Sequence, residues 1–239
     1  MKTDLSPGRN MDLDKYLTLM NEIKLRTNAV TEIMNGTKTT SYPMTNVEFM
    51  CLQIRKILEL ISMGSLVANK DEFDTIGKKY NEYWNARLIL QDIERLNLDF
   101  YPKPIVEVPF HEGKVKSRLE DKHDGFLTRE EFPKVYEKCG KFMHSYNPFG
   151  SHPDVEYYKN NIPIWMDKII GLLNCHMIKL KNATNFFLIH MKEDRDENAH
   201  GYDFGMLSSK ENPQVAQVDI ENNELAFKNI KSEALAGQQ

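Results

Sequence analysis

Apolar residues crowd most densely between positions 45 and 68, TNVEFMCLQIRKILELISMGSLVA, where runs such as Ile54, Ile57, Leu58 and Ile61 leave almost no polar side. A helix that is apolar nearly all round sits at the centre of a fold, so this segment is expected to be the core helix. Thr45 followed by Glu48 has the spacing of a capping box and predicts its start. Arg55, Lys56 and Glu59 interrupt the apolar run in its middle, which argues against a membrane span. Leu13, Tyr16, Leu17, Met20 and Ile23 recur at helical spacing over 11–34, and Tyr80, Tyr83, Leu88, Ile93 and Leu96 continue such a stripe after the core helix. Thr128 with Glu131 predicts a further capped helix to about 145, and Val155, Tyr158, Ile162, Trp165, Ile169 and Leu173 predict a last one over 154–180.

Two stretches break this period. Pro102, Pro104 and Pro109 exclude a helix between 97 and 127, leaving an irregular insertion with a short strand over 105–110 and a small basic cluster at Lys114, Lys116 and Arg118. Past Asn182 the pattern alternates: 185–192 with 199–207, and 215–220 with 224–227, read as two hairpins. The expected fold is therefore α+β, a mainly α-helical bundle of about five helices followed by a small C-terminal antiparallel β-sheet. Residues 1–10 read as a flexible arm, 11–182 as the bundle, 183–231 as the hairpin region and 232–239 as a frayed tail.

Composition narrows the chemistry. Among 239 residues, a formal net charge of -4 argues against a generally basic nucleic-acid-binding surface, while leaving room for a local RNA site. Cys51, Cys139 and Cys175 are odd in number and widely spaced in apolar contexts, as expected of reduced thiols in a cytoplasmic protein. The opening MKTDLSPGRNMDLDKY has no apolar signal stretch, so glycosylation at Asn182 is not expected. No pair among the seven histidines has the helical spacing of a zinc-binding motif, and no Gly-rich phosphate loop or nucleophile elbow is present. No metal and no cofactor are expected.

Residues 120–131, EDKHDGFLTREE, resemble a calcium-binding EF-hand loop, with Asp124, Gly125 and Glu131 at the fifth, sixth and twelfth places. Glu120 stands at the first place and Lys122 puts an ammonium among the ligand positions, so a turn into a capped helix is the expected structure.

The stretch that best carries chemistry is YEKCGKFMHSYNPF, residues 136–149. His144 falls near its helix end, with Lys138 about two turns earlier, so that a phosphate-holding cation and an imidazole could line one groove. Tyr136, Lys141 and Asn147 are the candidate substrate-binding residues beside them. Arg55 and Glu59, one turn apart on the core helix, must pair, reach that groove or meet a partner chain.

The helix order together with Lys138 and His144 resembles the HEPN family of all-helical domains, found in RNases of toxin–antitoxin, CRISPR and phage-defence systems. Its members carry Arg, four to six residues, then His, often with a polar residue after the Arg, and act as dimers. Lys138 stands here for the Arg, Cys139 for the polar residue and His144 for the His. The resemblance implies a metal-independent RNase or toxin-type effector, with His144 as acid or base, Lys138 and Arg55 holding phosphate and Glu59 orienting a cation. Arg195 to His200 has the same spacing, yet lies between two alternating segments and reads as a hairpin turn. The alternative is a non-catalytic helical interaction module, a degenerate relative that uses its bundle face and sheet edge to bind protein; a homodimer or a partner protein is the expected assembly.

Overall fold

The computed structural model describes residues 7–70, 85–112, 115–145, 149, 154–179, 185–192, 196–207, 214–219 and 224–228. Its described helices are α1 (Pro7–Met34), α2 (Pro43–Ala68), α3 (Ala86–Leu96), α4 (Phe132–Phe142) and α5 (Val155–Leu173). Its strands are β1 (Lys103–Glu112), β2 (Val115–Asp121), β3 (Cys175–Lys179), β4 (Asn185–His190), β5 (His200–Leu207), β6 (Gln214–Asp219) and β7 (Glu224–Lys228). The chain is α+β, with five helices and antiparallel strands among the described residues, and no described helix is long and apolar enough to cross a membrane.

As its composition dictates, α2 is central. It buries Cys51, Ile54, Ile57, Leu58 and Ile61 and packs against α1, α3, α4 and α5. Gly64 lets α1 approach it, because a Cβ there would stand 2.9 Å from the Tyr16 ring. The helix begins two residues before Thr45, with Pro43 at its first position, where the missing N–H costs nothing. Thr45 still closes the end, but by reaching back: its hydroxyl accepts from the Tyr42 N–H at 3.4 Å and donates to the Tyr42 carbonyl at 2.9 Å. Glu48 is not part of that cap.

The strands form one seven-stranded sheet, order β2-β1-β3-β4-β5-β6-β7, each strand antiparallel to its neighbours. Both expected hairpins are present, as β4–β5 and β6–β7, and the sheet extends beyond them in two ways. Residues 175–179, expected to finish the last helix, are strand β3, because α5 ends at Leu173 and His176 and Ile178 alternate inward. The stretch expected to be an irregular insertion with a short strand over 105–110 holds the β1–β2 ribbon, in which that strand is longer than expected and paired with a second. Its prolines sit where a strand tolerates them, Pro104 near the start of β1 and Pro109 beside a register shift between Pro109 and Glu112. Pairing of β1 with β3 covers only Lys103↔Met177 and Pro104↔His176.

Other boundaries moved less. α1 starts at Pro7, inside the expected arm, while residues 1–6, most of the expected start of α3 (71–84) and the tail lie outside the described residues. Asn85 caps α3, its side-chain oxygen accepting from the N–H groups of Arg87 and Leu88 at 3.1 and 3.4 Å. Helices and sheet meet through α1 on β5, α2 on β3 and α5 on β1 and β3. At that junction the buried His176 donates from Nδ1 to the Leu173 carbonyl at 2.7 Å and accepts at Nε2 from the Tyr16 hydroxyl at 2.8 Å. Burial lowers its pKa to about 4, so the imidazole is a neutral structural link.

Candidate functional site

The EF-hand-like loop is a packing device. Gly125 takes a left-handed φ of 69°, Lys122 Nζ donates to the Gly171 carbonyl at 3.1 Å, and the Leu127 N–H donates to the Lys168 carbonyl at 2.8 Å. The Thr128–Glu131 capping box forms as the sequence predicts: the Thr128 N–H donates to Glu131 Oε2 at 3.2 Å and the Glu131 N–H to Thr128 Oγ1 at 3.3 Å. It closes the turn just before α4, whose helical residues begin at Phe132 and end at Phe142 rather than near 145. Glu131 also pairs with Lys168, which holds its carboxyl below the usual range.

The inner side of α4 meets α2 through Tyr136, Cys139 and Gly140, all buried. Arg55 and Glu59 do pair, Nε to Oε1 at 3.3 Å. The Tyr136 hydroxyl lies between them, accepting from Arg55 Nη2 at 2.6 Å and donating to Glu59 Oε1 at 3.0 Å. The guanidinium carbon stands 3.9 Å from the centre of the Tyr136 ring, a cation–π contact. Gly140 makes room, since a Cβ there would come within 2.5 Å of Arg55 Nη1. Burial, then the Glu59 carboxylate, push the Tyr136 phenol above its ordinary pKa, so it stays protonated and able to donate.

The remaining candidates stand elsewhere. Lys138 is exposed toward α5, its Nζ 5.0 Å from the centre of the Tyr157 ring, and its carbonyl accepts from the Tyr158 hydroxyl at 2.9 Å. Lys141 is exposed and paired with Glu137 at 2.7 Å. His144 is exposed two residues beyond the end of α4, while Asn147 lies outside the described residues. The structure thus gathers Arg55, Glu59 and Tyr136 at the α2–α4 seam and turns Lys138 toward α5. Cys139, the residue after the lysine, is fully buried against Cys51, which with burial raises its thiol pKa. In the Arg195–His200 stretch, His200 opens β5 and its Nε2 lies 2.8 Å from Asp196 Oδ1, an arrangement of the connection between β4 and β5.

One cluster is invisible to local spacing. Glu107 on β1, Cys175 on β3 and His190 on β4 bring their ligand-type atoms within 4.8 Å of one another, although the sequence suggests no metal-ligand set. Cys175 and His190 are register partners across β3 and β4, and His190 Nε2 lies 3.2 Å from Glu107 Oε1. Burial, and secondarily the Glu107 carboxylate, push the Cys175 thiol up to about 12. Reading 175 as helix concealed the pairing, and Glu107 is 68 residues before Cys175.

No family model, curated protein or solved structure matches the chain, so the resemblance to HEPN domains stands on its residues alone.

Proposed function

We propose that this chain works by binding rather than catalysis, as a helical interaction module whose partner is a second copy of itself. The observation that carries the reading is the closed network at the α2–α4 seam. A cation that holds phosphate must present its donors to an incoming anion, whereas the Arg55 guanidinium is already taken up by Glu59, the Tyr136 hydroxyl and the Tyr136 ring. Cys139, where an RNase of the HEPN type would carry a polar orienting residue, packs in the core.

Support for self-association comes from the outer side of α5, where Ile164 is 52% exposed and Lys159 and Asp167 are exposed one turn to either side of Pro163. Two such helices crossing antiparallel about a two-fold axis at Pro163 would set Lys159 of each against Asp167 of the other, with Ile164 at the centre. Light scattering is expected to give the mass of a dimer. Asp167→Lys is expected to dissociate it, and Lys159→Asp combined with Asp167→Lys to restore it. A monomer at all accessible concentrations sinks this reading.

The exposure of His144 beyond α4, with Lys138 and Lys141 also open to solvent, favours a second reading: metal-independent RNA cleavage. Purified protein with single-stranded RNA and tRNA in excess EDTA separates the two. The binding reading expects no cleavage. Cleavage that persists in EDTA and falls about 100-fold or more in His144→Ala would establish the nuclease instead.

A further inference from the structure

We infer that Glu107, Cys175 and His190 form a binding site for a zinc-like divalent cation that fastens the β1–β2 ribbon to the central sheet. The three side chains offer one carboxylate oxygen, one sulfur and one imidazole nitrogen, all within 4.8 Å of one another. Zinc at about 2.0–2.1 Å from nitrogen or oxygen and about 2.3 Å from sulfur, in tetrahedral geometry, requires ligand atoms roughly 3.3–3.6 Å apart. His190 Nε2 and Glu107 Oε1 already stand 3.2 Å apart. Closing the set therefore takes side-chain shifts of about 1 Å and no backbone rearrangement.

The scaffold gives the site its rigidity. Cys175 and His190 face each other across an antiparallel pair that continues through Lys179↔Phe186, which fixes their relative position. The edge of His190 packs near the Tyr202 ring, with centroids 5.5 Å apart. Glu107 comes from β1 beyond the last backbone pair that β1 makes with β3, at Pro104↔His176. Side chains are what hold the ribbon to the sheet at this point, and a shared ion would do so more firmly than a carboxylate–imidazole contact.

The donor set also selects the ion. A sulfur ligand beside imidazole and carboxylate suits zinc or cobalt, while magnesium and calcium prefer oxygen throughout. Three protein ligands leave a fourth tetrahedral position for water or a small anion. The ordinary alternative is a half-exposed histidine–carboxylate pair with a thiol nearby by chance, and the experiment must separate the two.

Protein stripped with a chelator and desalted is titrated with Co²⁺ and then Zn²⁺. The expected result is one Co²⁺ per chain, a thiolate-to-cobalt charge-transfer band, and displacement by Zn²⁺. Cys175→Ser is expected to remove the band, and His190→Ala and Glu107→Gln each to weaken zinc binding by about ten-fold or more. In the unsubstituted protein, peptide mapping is expected to find Cys175 alkylated at least about ten-fold more slowly with zinc than without, a readout that does not depend on any variant folding. Absence of the band, its persistence in Cys175→Ser, unchanged zinc affinity in the other two variants, or no protection of Cys175 would each overturn the site.

Discussion

At the scale of single residues, the most informative arrangement is the contact of Gly140 with Arg55. A methyl group at 140 would displace the guanidinium, because the added Cβ falls 2.5 Å from Nη1. Helix propensity favours Ala over Gly by about 1 kcal/mol, so the substitution sets an intrinsic gain against a lost network. Hydrogen bonds to charged groups contribute roughly 1.5–3 kcal/mol, but the Arg55 and Glu59 side chains are 27% and 28% exposed, and water screens part of that. Gly140→Ala is therefore expected to be neutral to destabilising by about 1 kcal/mol alone, and stabilising by about 0.5–1 kcal/mol in an Arg55→Met background. Urea unfolding of the four proteins of this cycle measures it. Additive effects would mean that the guanidinium does not occupy the space over Gly140. Much of this was legible beforehand: the spacing of Arg55 and Glu59 on an otherwise apolar helix demanded a partner for each. That Tyr136 would be the shared one was not, since it lies 77 residues from Glu59, and only the packing of α4 on α2 connects them.

At the scale of elements, hydrophobic period located α1, α2 and the two late hairpins because those segments are long or bounded by clear turn residues. It failed where an element is short or carries residues that penalise it. The five residues of β3 follow directly on a helix, and Ile178 extends the helical stripe of α5 as readily as it faces inward from a strand. The alternation over 105–110 showed the middle of β1, but Pro102, Pro104 and Pro109 hid its length and its partner β2, though two of the three sit near the start of the strand or beside the register shift. The loop before α4 shows how elements lock together. Gly171 on α5 faces the backbone of Gly125, and a Cβ at 171 would run into the Gly125 carbonyl oxygen, which is main chain and has no rotamer to yield. Gly171→Ala is expected to destabilise by about 1–3 kcal/mol despite its gain in helix propensity, in contrast to Gly140→Ala. Thermal unfolding beside wild type decides it, and a melting temperature equal to or above wild type would refute the contact.

For the whole molecule, the centrality of α2 was readable because burial on all sides leaves its mark on one continuous segment. Sites assembled across the sheet leave no such mark. Glu107, Cys175 and His190 come from three strands, and no spacing rule for helices or hairpins would have grouped them. Lys138 and His144 stand close in sequence, and in the fold Lys138 lies over the Tyr157 ring while His144 is exposed beyond α4.

The short pairing between β1 and β3 has a mechanical meaning. Among the described residues, backbone pairing with the main sheet is confined to Lys103 and Pro104, so the β1–β2 ribbon is a cantilever clamped at one end, held beyond the clamp by side-chain contacts such as Glu107 with His190. Its own internal ladder, from Ile105↔Asp121 to Glu112↔Val115, gives it the means to move as one piece. Such a unit opens at a lower free energy than the layers it is attached to, so its amides are expected to exchange with deuterium together, and sooner than those of β3 and β4. Zinc should slow that exchange if an ion ties Glu107 to Cys175 and His190, and leave the helices unchanged. Uniform protection across 103–121 and 175–190 would show instead that ribbon and sheet open only in the global unfolding.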